Sequence, residues 1–465
     1  MKVRMAKNLS LGAVCAVLVV LAGCRDASGG SGGSAAPTNV LYIQTNNPAS
    51  GQNAVIAYKR DATTGALTML GMYRTGGTGY FNDDQRLGPD DSDQEIVASS
   101  NHKLLFAVNQ GSNDISVFRI RANGRLRRTG APTSSFGIQP ASLVLTGRNL
   151  YVANRGDGIL PTQANPAGQT GTPGATNYTG FKVRGRGKLS HIAGSTVVLA
   201  DGSSPSQVIA AIGGGSVFGN NFFVPDSTVT PPAPIFPKAR SYLDPLAIGS
   251  RGALALDTPV TLPSPTYDGA PYLLGLMTHP SQRILYTGVV GVGVVAVWTY
   301  DATGALTFSG QEEDPNKIGA AGGLCWIALS PNAKFMYASS VVPDVISVLS
   351  IGSDPTVVTR LQDFTLDGPK DPLPAGLPEP YKFTTAPFNL QVDPSGSFLY
   401  VLNNQTCTST AVDPQCVNGT AIHTLAIAPD GTVTEAAGSP LVVSTAVMGA
   451  QGGMVPYHAT GMVVF

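Results

Sequence analysis

The sequence predicts an all-β fold: a seven-bladed β-propeller of four-stranded antiparallel blades, closed by a C-terminal strand that joins the first blade. Three observations predict it. Short runs of β-branched and aromatic residues, bounded by Gly, Pro, Asn and Asp, recur along the chain, and no sustained helical spacing appears beyond the N-terminal segment. Glycine and proline number 55 and 35 in 465 residues and only 12% of residues are charged, a composition suited to many turns and half-buried strands. Most telling, a degenerate unit can be laid against itself seven times.

Each unit reads as an apolar strand A, a tight polar turn, a strand B ending near Tyr-Val-x-Asn, a variable loop, and two strands C and D around a glycine turn. The clearest copies are EIVASSNHKLLFAVNQ from Glu95, SLVLTGRNLYVAN from Ser142, LLGLMTHPSQRILYTGV from Leu273, CWIALSPNAKFMYASS from Cys325 and FNLQVDPSGSFLYVLNN from Phe388. QVIAAIGGGSVFGNNFFVPD is a weaker copy, and NVLYIQTNN begins mid-unit, at strand B. Segments such as AVIAYKRDATTGALT, DISVFRIRANGRL and VVAVWTYDATGALT supply the C–D pairs. Sheets of this kind arranged around an axis bury one another's faces and leave only short edges exposed. Because the first unit lacks strand A, the terminal ATGMVVF, 459–465, is the strand that completes it.

Ahead of the repeat, Lys2, Arg4 and Lys7 precede an apolar run from Leu9 to Leu21, too short to span a bilayer and laid out as a secretory signal. Leu21-Ala22-Gly23-Cys24 resembles the bacterial lipoprotein box, which implies acylation of Cys24 and a membrane partner through lipid. The Gly/Ser-rich stretch that follows is a tether. The expected organisation is therefore a signal over 1–23, a tether over 24–38 and one propeller over 39–465, held at the cell envelope. Arg25, where the resemblance makes Asp the inner-membrane retention residue, points to the outer membrane. In an exported protein Cys407 and Cys416 are expected to close a small loop by a disulfide, with Cys325 a buried free thiol.

The Tyr-Val-x-Asn endings, the Asp-Pro-Ser-Gly and Ser-Pro-Asn-Ala turns and the ISVF and LAIAPDG strands resemble the lactonase-type seven-bladed propellers, which include bladed 6-phosphogluconolactonases and border the Tyr-Val-Thr-Asn repeat proteins of cell surfaces. The resemblance implies the fold and, as an activity, hydrolysis of a carboxylic ester. Enzymatic members carry His and Arg-His pairs where strand A begins. Here those places read GIQPASL, GGLCWIA, APFNLQV and APYLLGL, so no catalytic residue is carried across.

Strand alternation puts the A–B and C–D turns on one rim and the B–C and D–A connections on the other. The first set is short; the second holds the long segments, so a ligand surface is expected there. On that rim Asp83, Asp84, Asp90, Asp91, Asp93 and Glu95 form an acidic stretch before a strand A. Calcium is conceivable there, although the spacing fits no defined calcium loop and a solvated acidic turn is the commoner outcome. Arg155 and Asp157 in NRGDG are ligand-binding candidates, with an ion-paired turn as the structural alternative. Glu312, Glu313 and Asp314 in QEEDP read as a solvated loop. His458, beside Tyr457, is the one histidine just ahead of a strand A, which makes the pair ligand-binding candidates and His458 an acid–base candidate, with a satisfied structural histidine the commoner outcome because no adjacent nucleophile or carboxylate is identified. Net charge is zero, which excludes a nucleic-acid footprint. The expectation is a monomeric, lipid-anchored module that binds a small molecule or partner protein on its long-loop rim and requires no cofactor. The alternative is a lactone hydrolase with non-standard site residues. Replacing Cys24 with serine is expected to abolish incorporation of labelled palmitate by expressing cells and to move the protein from the membrane to the soluble fraction.

Overall fold

The computed structural model describes residues 37–80, 94–156, 176–228, 239–263, 272–313, 323–341, 345–367, 371–372, 383–384, 387–403, 420–443, 446–448, 454–456 and 459–465, within one compact unit, Ala36–Phe465. Seven antiparallel blades account for nearly all of it, and a single 3-10 turn, Gly185–Gly187, is the only helical element among the described residues. No helix there is long and apolar enough to cross a membrane.

From the axis outward, blade one consists of Thr460–Val464, Val40–Gln44, Ala54–Arg60 and Leu67–Arg74, so the C-terminal strand does close the ring. The inner strands of blades two to seven are Ile96–Ala98, Pro140–Thr146, Pro205–Ala210, Tyr272–Thr278, Leu324–Leu329 and Pro387–Val392. Their second strands are Leu104–Asn109, Asn149–Arg155, Ser216–Pro225, Ile284–Val290, Phe335–Ser340 and Phe398–Asn403. Two small extra hairpins pair Asp371–Pro372 with Phe383–Thr384 and Ala446–Met448 with Met454–Pro456.

Alternation along each strand sends successive side chains into opposite neighbouring blades. The apolar core accordingly divides into clusters lying between blades. Tyr42, Ile96 and Phe118 pack between blades one and two, Phe106, Leu143 and Phe181 between two and three, and Ile43, Tyr400 and Met462 between seven and one.

The tyrosine of the repeat has a specific task. Tyr42, Tyr151, Tyr286, Tyr337 and Tyr400, all on second strands, each donate their hydroxyl proton to a backbone carbonyl in the C–D turn of the next blade: Gly124, Gly252, Pro355, Gly431 and Gly65, at 2.7 to 3.2 Å. Phe106 and Phe218 hold the corresponding place in blades two and four, where Ser216 Oγ supplies a bond to Thr303 O instead at the latter junction. In blade seven the turn glycine is required by its backbone. Gly431 has φ +88°, and a Cβ there would lie 2.3 Å from the Phe335 ring of the preceding blade.

The asparagine of the repeat acts at the opposite rim. Asn403 Oδ1 accepts the Ala421 amide proton, which orients its NH₂ toward His423 Nε2 at 2.9 Å; His423 Nδ1 then donates to Glu435. Asn109 and Asn154 tie their blades similarly, to Ser116 and to Asn177. His423 is thus a satisfied structural histidine on a third strand. His102 and His279 stand in A–B turns, and His279 Nδ1 accepts the amide protons of Ser281 and Gln282.

Two buried polar contacts reinforce particular junctions. At the closing one, Arg60 of blade one pairs with Asp393 of blade seven at 3.0 Å. Between blades three and four, Tyr178 donates to Asp244 at 2.9 Å, and burial pushes the Asp244 carboxyl up to about 7. Since that carboxyl binds its proton more tightly folded than unfolded, its contribution to stability is complete below the unfolded value near 4 and is lost as pH rises through 7. Asp244→Asn should therefore shrink the difference in melting temperature between pH 5 and pH 8, as calorimetry would show. Tyr400→Phe should cost about 1 kcal/mol in urea unfolding, whereas loss of residues 459–465 should expose a strand edge and cause aggregation measurable by light scattering.

Candidate functional site

The two rims differ as the strand order requires. Every A–B and C–D turn is two to six residues long. Their conformations are set by side-chain caps: Asp61, Asp301, Asp354 and Asp430 accept bonds from threonine hydroxyls or backbone amides, which hold these carboxyls below their ordinary range. The strand ends joined by the long connections all lie at the opposite rim, although the B–C links of blades two and five, 110–113 and 291–293, are tight there too.

At the axial end of that rim the inner strands share a device. In blades one, three, four, five, six and seven the inner strand carries an irregularity against its neighbour, placing an extra residue at Gly461, Ala141, Ser206, Gly275, Cys325 and the Phe388-Asn389 step. Such bulges re-aim side chains and occur next to functional sites. Beside them, polar bonds link the inner strands of several blades to their neighbours, once from the second strand of blade six. Val208 N donates to Ser142 Oγ at 3.1 Å, Gln207 Nε2 donates to Leu276 O at 3.0 Å, Ser339 Oγ donates to Phe388 O at 3.0 Å, and Gly461 N donates to Asn389 Oδ1 at 2.7 Å. Gln207 also reaches Gln94 Oε1, at 3.3 Å.

The mouth built this way has two unlike halves. Blades four to seven contribute a packed aromatic cluster, every ring of it 2% exposed or less, in which Phe222, Phe223 and Tyr272 contact one another with centroids 4.3 to 5.4 Å apart, and Trp326 meets Phe388 edge-on at 4.7 Å. Blades one to three contribute Gln44, Thr460, Gln94, Glu95, Gln139 and Arg155. The charged pair among them is enclosed: Glu95 is 0% and Arg155 1% exposed. Gln139 Oε1 has no hydrogen-bond partner among the described residues.

The sequence-derived candidates fare unequally against this geometry. Arg155 is the last residue of a second strand, with its amide bonded to Gln139 O, and so belongs to the mouth as expected. Glu95 belongs there too, but it is buried against the closing strand, which corrects its reading as part of a solvated acidic turn. Asp83, Asp84, Asp90, Asp91, Asp93, Asp157, Tyr457 and His458 lie outside the described residues, as do Cys24, Cys407 and Cys416. Among the described residues no cluster could hold a metal ion. Cys325 is a buried free thiol, as expected, whose Sγ donates to Gly323 O at 2.8 Å. QEEDP is corrected at one position: Glu312 is 4% exposed and pairs with the buried Arg360 of blade six, because Arg360 folds in from the adjacent outer strand, a non-local contact that charge patterning cannot show. The bulges were missed; the glycine interrupting the apolar run in YLLGLMT was the available signal.

The family model described as lactonase, 7-bladed beta-propeller, matches residues 50–162, which cover blade one from its B–C loop, blade two, and blade three through Arg155. The chain has the seven-bladed propeller fold. Solved structures with this fold include a candidate 6-phosphogluconolactonase from Bacteroides fragilis, 15% identical, with a TM-score of 0.59 over 94% of this chain and 99% of that one. A periplasmic gluconolactonase from Pseudomonas aeruginosa, also 15% identical, aligns with a TM-score of 0.60 over 91% and 99%. A hypothetical selenium-binding protein from Sulfolobus tokodaii, 12% identical, aligns with a TM-score of 0.59 over 92% and 93%. No curated protein sequence matches the chain. The stretch matched by that family model contains both enclosed charged residues of the mouth, Glu95 and Arg155.

Proposed function

We propose that the protein is an envelope lactone hydrolase whose site is the axial mouth of the long-loop rim. The observation that carries this reading is the enclosure of Glu95 and Arg155 at the mouth, within the stretch that the lactonase family model matches. Opening a lactone needs a group to accept a proton from the attacking water and a donor for the oxyanion that forms on the acyl carbon. Glu95 supplies the carboxylate. Arg155 supplies a fixed positive charge and several N–H donors, a role the family's histidine and arginine positions leave open in this chain.

The relatives' names support the enzymatic reading over the pure binding module, and the periplasmic relative fits the export signal and Cys24 anchor. Calcium on the stretch that includes Asp83 and Asp93 belongs to the same proposal as an optional requirement.

The test is acid release from a panel of aldonic and simple lactones by the soluble domain at pH 7, with and without EDTA. Turnover above the buffer rate that falls at least about 100-fold in Glu95→Gln and in Arg155→Met is expected. Binding of a lactone without turnover would return the protein to the binding-module reading, and loss of turnover in EDTA would assign calcium a role.

A further inference from the structure

The polar half of the mouth has unspent hydrogen-bonding capacity at Gln139 Oε1 and, more fully, at Gln44 and Thr460. Gln44 ends the second strand of blade one and stands directly across from Thr460 on the closing strand. Gln44 is 0% and Thr460 2% exposed, and among the described residues neither amide atom of Gln44 nor Thr460 Oγ1 makes a hydrogen bond. Buried polar groups in folded proteins are generally paired, because leaving one unpaired forfeits its hydration with nothing in return; among the described residues Ser204 Oγ and the Trp298 and Trp326 ring nitrogens share the exception with these two. Corresponding positions in other blades follow that rule: Asn220 donates to Leu273 O and Ser339 to Phe388 O, each on the next inner strand. Gln44 faces blade two in the same way, on the side of the strand that carries Tyr42. Yet it leaves its amide open.

Glu95 stands at the same seam. The bulge residue Gly461, next to Thr460, has φ +69°, and a Cβ there would lie 3.1 Å from both Cβ and Oε2 of Glu95. The closing strand thus brings an uncharged amide, a hydroxyl and a carboxylate together where blade one meets blade two. An amide and a hydroxyl together offer donors and acceptors without charge, a set that suits water or an alcohol hydroxyl and does nothing for a bare ion.

We propose that Gln44 and Thr460 form a subsite that holds one water molecule or one substrate hydroxyl beside Glu95. Its existence rests on the seam geometry; its role rests on the lactonase reading. In that role the held water adds through its oxygen to the acyl carbon and gives a proton to the Glu95 carboxylate. The ring C–O bond breaks, and the leaving ring oxygen takes that proton back, so that lactone and water become a hydroxy acid.

Thr460→Val and Gln44→Leu separate this role from a structural one. A residue that holds the fold together loses stability when its polar atoms are removed, whereas one whose partner is a ligand does not. Each variant is expected to melt at or above the parent's temperature. Each is also expected to lose about 10- to 100-fold in kcat with little change in KM for whichever lactone the parent turns over. A lower melting temperature in both variants overturns the subsite, and so does an unchanged kcat. Absence of turnover in the parent sinks the lactonase reading instead, and the subsite then stands or falls on the melting temperatures alone.

Discussion

The pairing of Thr460–Val464 with Val40–Gln44 is the constraint on which the rest of the molecule depends. A propeller blade buries its two faces only against neighbours, so an unclosed ring would leave the two end blades half unpacked. The closing strand prevents this by backbone pairing, since Phe465 N bonds Val40 O at 3.0 Å and Val40 N bonds Phe465 O at 2.7 Å. Around it the seventh and first blades are joined by the Arg60–Asp393 pair and the Tyr400 bond to Gly65 O. A buried ion pair contributes less to net stability than to fixing which groups meet. Here it fixes the angle at which the last blade meets the first, and the Asn389 bond to Gly461 sets the closing strand's height along the axis.

Division of labour between the rims follows from the same repeat. The repeat tyrosine, in the five blades that carry it, works at the short-turn rim, reaching across a junction, while the asparagine works at the long-loop rim, within or beside its own blade. Because the short rim is locked by carbonyl contacts and capped turns, chain length can vary only at the other end without disturbing blade packing. Variation therefore gathers around the mouth. The mouth inherits rigid walls from the inner strands and chemical variety from the connections, the combination on which loop-borne sites generally rest.

Much of this was legible in the sequence because its causes are local. Period-two alternation, glycine turns with Asp one to four residues earlier, and the recurring Tyr-Val-x-Asn each specify a blade without reference to distant residues, and ATGMVVF could be recognised as a strand A by elimination. The site was less legible. Arg155 could be placed because it directly follows a Tyr-Val-x-Asn ending, but the burial of Glu95 depends on Gly461, 366 positions away in the chain. Glu312 reads as a solvated charge until Arg360 arrives from the next blade. The bulges interrupt a two-residue period by a single residue, and in strands of six or seven residues that interruption resembles ordinary degeneracy.

The account makes the closing strand part of the core rather than a peripheral addition, and amide hydrogen exchange tests this most directly. If closure holds the ring together, the amides of Met462 and Val464 exchange only with global unfolding, at the same free energy as the amides of Val348 and Leu349 deep in blade six. Exchange of Met462 and Val464 through local fraying, orders of magnitude faster than blade six under the same conditions, would show that the ring stands without its latch and would remove the basis for a mouth built at that seam.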